Sequence, residues 1–92
     1  MISSFKHKGL KKFFYDGDSS KLNPNHVKKL RRILLRLNNA KEIRDLDVPG
    51  WRLHKLVGNL KGYHAIDVSG NFRIIFVFTD GEIENVDYTD YH

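Results

Sequence analysis

The sequence predicts an α+β fold in which two helices pack on one face of a curved, mostly antiparallel sheet. Three observations carry that expectation. Apolar residues recur at spacings of three and four between positions 24 and 37, and the period changes to two after Pro49. Two tight turns, Gly70-Asn71 and Asp80-Gly81, then separate the apolar runs that follow. With 92 residues and an apolar share of 40%, these elements fit one core, so residues 1–92 read as a single domain.

Ile2 to Phe5 reads as a short strand, and Lys8 to Tyr15 as a short helix with Leu10, Phe13 and Phe14 on its apolar side. Asp16 to Ser20 is a loop. The clearest helix opens at Asn23-Pro24, an N-cap followed by proline at the first helical position. Val27, Leu30, Leu34 and Leu37 share a face there, while Lys28, Lys29, Arg31, Arg32 and Arg36 lie off it. Asn38-Asn39 ends the helix, and Ala40 to Leu46 adds one more turn. Trp51 to Val57 alternates, with Arg52, His54 and Leu56 on one side and Leu53, Lys55 and Val57 on the other. Tyr63 to Ser69, Phe72 to Thr79 and Glu82 to His92 complete a four-stranded meander, joined by the two tight turns.

The chain contains no cysteine, which excludes disulfides and thiolate metal sites and suits a reducing compartment. MISSFKHKG has lysines with no apolar run behind them, so no signal peptide is expected. No stretch approaches the roughly 20 apolar residues that span a bilayer, and a cytoplasmic location follows. The net charge of +5 divides unevenly: residues 1–44 carry +9 and residues 45–92 carry −4. A basic half suits an anionic partner such as RNA or an acidic protein segment, and equally a solvated helix surface.

The tight turns set strand register, and register brings polar groups together. Across Gly70-Asn71, Ser69 faces Phe72 and Val68 faces Arg73; across Asp80-Gly81, Thr79 faces Glu82, Ile75 faces Val86 and Arg73 faces Tyr88. Asp90 and His92 then lie on the side of Arg73. Ile83 and Val86, three apart, suit a bulge instead, and beyond it Tyr91 sides with Arg73. Both alternatives put the ending DYTDYH near that arginine. Arg73 interrupts the apolar run FRIIFVF, so it calls for a carboxylate or phosphate partner. His54 is either a proton carrier or a packed residue of an alternating strand. Tyr88 and Tyr91 suit base stacking or plain packing. His7, His26 and His64 show no spacing that would make them metal ligands, and no phosphate loop, nucleophile elbow or metal signature is present. Histidine, carboxylate, tyrosine and arginine together suit cleavage of RNA by its own 2′-hydroxyl, which needs a base, an acid and cations.

FKHKGLKKFF, LHKLVGNLKGYHAIDVSGNFRIIF and VDYTDYH resemble the HigB toxins of the RelE superfamily over essentially the whole chain. RLH, LKGY, GNFRI and the terminal DYH are far more specific together than singly. The resemblance implies a RelE-like fold and a toxin of a bacterial type II toxin–antitoxin module that cuts mRNA in the ribosomal A site. It implies a helix-turn-helix antitoxin, HigA-like, as partner, with operator DNA reached only through that antitoxin, and neither metal nor cofactor. Carried over by position, the active site falls on His54, Arg73, Asp90, Tyr91 and His92. Lys55 and Lys61 are further phosphate contacts, and Lys28, Arg31, Arg32 and Arg36 suit 16S ribosomal RNA.

Two departures stand out. Family members often carry lysine where this chain has Val57, and a basic residue where it has Asp67. Both remove cation from the expected RNA face, and Lys55 alternates to the side opposite His54. A different reading of the same residues is a basic binding module without catalysis, acting through protein or RNA contacts.

Overall fold

The computed structural model describes residues 1–90. Helix α1 spans Lys8–Asp16 and helix α2 spans Val27–Asn39, with strands β1 (His54–Lys55), β2 (Tyr63–Ser69), β3 (Phe72–Thr79) and β4 (Glu82–Asp90) following in order. The strands form one antiparallel sheet in the order β1-β2-β3-β4, and both helices contribute to the core on one of its faces. This is the α+β architecture expected.

Helix α1 starts with a side chain doing what the backbone cannot. His7 caps α1, its Nδ1 accepting from the Leu10 N–H at 3.0 Å. Gly17 closes it at φ 75°, where its N–H reaches the Phe13 carbonyl at 2.9 Å. Gly9 is fully packed: a Cβ there would stand 2.5 Å from the Lys21 Cβ. Asn23 accepts from the Asn25 N–H at 2.9 Å, but Pro24–His26 forms a 3-10 turn before α2 begins at Val27. Leu30, Ile33, Leu34 and Leu37 are buried along α2, so the stripe includes Ile33 beside the expected leucines. They meet Ile66, Ile74 and Phe76 from the sheet. Each such side chain contributes about 1.5–3 kcal/mol by leaving water.

Three expectations are corrected. The strand expected over Trp51–Val57 contracts to His54–Lys55, because Gly50 (φ 88°) and Arg52 (φ 50°) turn the chain before it and Gly58 (φ 69°) starts a 3-10 turn after it. Residues 2–5 make two isolated parallel bridges to β4, Ile2 to Ile83 and Phe5 to Val86, rather than a continuous strand. The third correction concerns register. Ser69 does face Phe72 and Thr79 does face Glu82, but beyond the turns both ladders slip. Val68 is passed over, so Asp67 rather than Val68 faces Arg73. On β4 the ladder shifts at Asn85-Val86, and Ile75 faces Asp87, Ile74 faces Tyr88 and Arg73 faces Thr89.

The slip in β4 is the bulge announced by the three-residue spacing of Ile83 and Val86. Asn85 sits in the left-handed region at φ 56°, and asparagine is among the few residues that tolerate it. Ser4 clasps it: the Asn85 N–H donates to the Ser4 Oγ at 2.8 Å, and that hydroxyl donates to the Asn85 Oδ1 at 3.4 Å. Both Ile83 and Val86 thereby point into the core. Beyond the bulge Tyr88 turns toward the helices. Its hydroxyl lies 2.6 Å from Nδ1 of the buried His26, and its ring stacks on Phe72 with centroids 5.4 Å apart. Burial raises the Tyr88 pKa above its ordinary value, with the charge of Asp90 adding to the shift.

Asn85→Val, which cannot take this backbone easily, is expected to lower unfolding free energy by about 1–3 kcal/mol, and Asn85→Gly by markedly less. Urea denaturation followed by circular dichroism measures both.

Candidate active site

Bulge and register leave one sheet face away from the helices. Across its middle run His54, Ala65, Ile75 and Asp87, paired strand by strand; beside them run Asp67, Arg73 and Thr89. Ala65 and Ile75 are buried yet belong to no part of the helix-side core, so they form the floor of this second face. Strands lie about 4.8 Å apart and Arg73 is two residues along β3 from Ile75, so the backbones of His54 and Arg73 stand roughly 12 Å from each other across the floor, room for a phosphodiester between their side chains.

His54 is held by its own backbone. Nδ1 lies 2.6 Å from the carbonyl oxygen of Arg52. A carbonyl only accepts, so Nδ1 carries the proton and the neutral ring keeps its lone pair on Nε2. Arg52 in turn binds Asp67, Nε to Oδ2 at 2.6 Å, and the Asp67 N–H donates to the Trp51 carbonyl at 2.8 Å. Asp67, where the resemblance suggested a basic residue, therefore brings a cation to that place in the person of Arg52. Asp67 Oδ1 and Thr89 Oγ1 are buried without a hydrogen-bond partner among the described residues.

The residues named from sequence divide clearly. His54 and Arg73 share the open face. Asp90 faces Phe72, so it alternates to the other side of β4 from Thr89 and not to the side of Arg73 as the plain register had it. Tyr91 and His92 lie outside the described residues. Lys55 faces His64, on the side opposite His54, as the alternation implied. Lys61 is exposed in the loop after Gly58–Leu60, and Val57 beside it is 85% exposed. Lys28, Arg31, Arg32 and Arg36 are exposed on α2, in the helix layer, and the fold does not bring them to His54. Arg31 sits over the Phe13 ring at 5.4 Å, and the Arg36 Nε–H donates to the Asp45 carbonyl at 3.0 Å.

Sequence reasoning missed Lys6, Tyr63 and Thr89. Lys6 is anchored by its N–H to the Val86 carbonyl and extends its ammonium to 5.5 Å from the ring of Tyr63, which pairs with Val77 on the open-face side of β3. No local spacing signals this approach, because it joins residues far apart in the chain. Thr89 needed the bulge to be placed. The scattered histidines prove structural: His7 caps α1, His26 meets Tyr88, and His64 stacks on Phe76 with centroids 5.8 Å apart.

The chain matches the model of the HigB-like toxin, described as the RelE-like toxin of type II toxin–antitoxin system HigB, over residues 3–92. It is 40% identical to the endoribonuclease HigB of Proteus vulgaris across the full length of both chains. The chain belongs to the HigB family of RelE-like toxins. A second relative, toxin HigB-1 of Vibrio cholerae, is 38% identical over 94 residues, covering 100% of this chain and 98% of its own. Among solved structures, the YoeB–YefM complex from Staphylococcus aureus superposes with a TM-score of 0.64 at 21% identity, covering 100% of this chain and 95% of that one. YafQ from E. coli does so at 0.57 and 19%, covering 98% and 91%. These likenesses establish a shared fold, with two helices on a four-stranded antiparallel sheet. Among the described residues of this HigB-family chain, no helix is long and apolar enough to cross a membrane.

His64 supplies a pH test of the sheet. Burial, and then the charge of Lys55, lowers its pKa below the ordinary value of 6.5. The unfolded chain therefore binds the proton first, so His64 makes stability fall as pH drops below 6.5 and recover as it rises. Urea midpoints at about pH 5.5 and pH 7.5 should show that rise, and His64→Phe, which keeps a ring on Phe76 without a titrating group, should flatten it.

Proposed function

We propose that this toxin is an endoribonuclease that cuts mRNA in the ribosomal A site without a metal, by attack of the 2′-hydroxyl on the adjacent phosphate. The observation that carries this reading is the arrangement of His54: its Nδ1 is occupied by a carbonyl, its Nε2 is left basic, and it shares an apolar floor with Arg73. His54 Nε2 takes the 2′-proton as O2′ bonds to phosphorus. Arg73 binds the non-bridging oxygens, on which negative charge grows as the five-coordinate phosphorus forms. The bond to the 5′-oxygen then breaks, and the terminal Tyr91 and His92, carried over from the family pattern, supply the proton that this oxygen needs. The products are a 2′,3′-cyclic phosphate and a 5′-hydroxyl.

The remaining cations serve binding. Lys28, Arg31, Arg32 and Arg36 on the exposed side of α2 suit 16S ribosomal RNA, Lys61 suits the message beside the cut, and Lys55, on the other side of β1 from His54, suits RNA away from it. The family model names a toxin–antitoxin system, and one solved neighbour is a toxin–antitoxin complex, which supports an antitoxin partner. A HigA-like helix-turn-helix antitoxin is the partner proposed, with operator DNA contacted through it alone. The ribosome places the work in the bacterial cytoplasm.

His54→Ala and Arg73→Ala are each expected to slow cleavage by about 10²- to 10⁴-fold while leaving folding and antitoxin binding intact. Toeprinting of mRNA on purified ribosomes, with toxin stripped of metal by EDTA and then desalted, measures the rate and the product ends. Deletion of Tyr91 and His92 should likewise relieve growth arrest. If all three variants cut message like the parent while charge reversal at Arg31, Arg32 and Arg36 abolishes arrest, the protein is a basic binding module instead.

A further inference from the structure

We infer that Arg52 and Asp67 form a positioning pair for His54, and that Asp67 acts on catalysis through the tautomer of that ring. The inference rests on His54 being the base proposed above and adds a device that makes it one.

The chain of contacts is continuous. Free imidazole prefers its proton on Nε2, the wrong nitrogen for a base that must present Nε2 to substrate. Here the Arg52 carbonyl, 2.6 Å from Nδ1, reverses that preference. The carbonyl belongs to a residue held at φ 50°, a conformation that arginine does not readily adopt by itself. Two contacts from one residue of β2 hold it there. The Asp67 backbone N–H fastens the preceding carbonyl, that of Trp51, at 2.8 Å, and the Asp67 carboxylate fastens the Arg52 side chain at 2.6 Å. Strand pairing fixes Asp67 itself opposite Arg73. The carboxylate is 28% exposed, so solvent screens the pair only in part, whereas Arg52 at 66% turns its outer surface to water. A left-handed residue, an ion pair and a histidine proton thus form one unit, in which the acid at position 67 has a positioning role.

The test is the tautomer and the rate, read separately. In the intact protein, ¹⁵N NMR of the histidine rings should show His54 protonated on Nδ1 at a pH where the ring is neutral. Asp67→Ala should move that proton toward Nε2 and lower kcat on ribosomes by about tenfold or more, with KM changed by less than about twofold. Asp67→Asn keeps an acceptor for the Arg52 Nε–H and should fall between parent and alanine. Arg52→Ala breaks the same pair from the other side and should shift the tautomer as Asp67→Ala does, so a folding failure in one variant leaves the other to decide. An unchanged tautomer in both alanine variants, or a lowered kcat with the tautomer intact, would overturn the proposal. The failure of the cleavage reading looks different: His54→Ala would be as active as the parent while Asp67→Ala still shifted the ring proton.

Discussion

One extra residue in the last strand decides what this sheet presents to solvent. Asn85 takes the left-handed backbone that a bulge requires, and Ser4 bonds to it from the neighbouring segment. Without it, strict alternation would send one of Ile83 and Val86 out of the core and would place Tyr88 across from Arg73. With it, both aliphatic side chains stay buried, Tyr88 joins His26 under the helices, and Thr89 faces Arg73. A period of two tolerates no half measures: inserting one residue exchanges every side chain beyond it. The N-terminal segment flanks the bulge on β4, with Ile2 bridged to Ile83 and Phe5 to Val86.

The site is assembled from parts that act at different ranges. Backbone geometry around Arg52 sets the proton on His54, strand pairing sets the separation of His54 and Arg73, and the bulge sets which groups of β4 accompany them. The charge asymmetry belongs to a separate layer. The basic residues of α2 lie on the helix side, while Asp67, Glu84 and Asp87 belong to the sheet. The basic helix surface and the open sheet face thus lie on opposite sides of a molecule whose longest axis is 30 Å.

Much of this was legible in the residues. The helical stripe of Leu30, Leu34 and Leu37, the period of two after Pro49 and the turns at Gly70-Asn71 and Asp80-Gly81 are local signals, and local signals dictate elements. The spacing of Ile83 and Val86 even announced the bulge. What could not be read was the choice it forced, because helix packing against Tyr88, not the strand's own pattern, decides between the two registers. The slip at Val68 left no mark in the sequence, since Val68 is an ordinary strand residue and its burial is a tertiary matter. The Asp67–Arg52 pair joins positions 15 apart through a positive φ at an arginine, which no residue preference predicts. Lys6 over Tyr63 is equally remote. Asp67 and Val57 looked like losses of cation, and the structure pairs Asp67 with Arg52.

The register beyond the bulge is open to a direct chemical measurement, because the chain has no cysteine of its own. Arg73→Cys with Thr89→Cys and Arg73→Cys with Tyr88→Cys differ only in which β4 residue is expected to face position 73. After mild oxidation, free-thiol titration and mass analysis of the folded proteins report cross-linking. The account predicts a disulfide in the 73–89 pair and free thiols in the 73–88 pair, whose side chains lie on opposite faces. A disulfide in the 73–88 pair with free thiols in the 73–89 pair would contradict it.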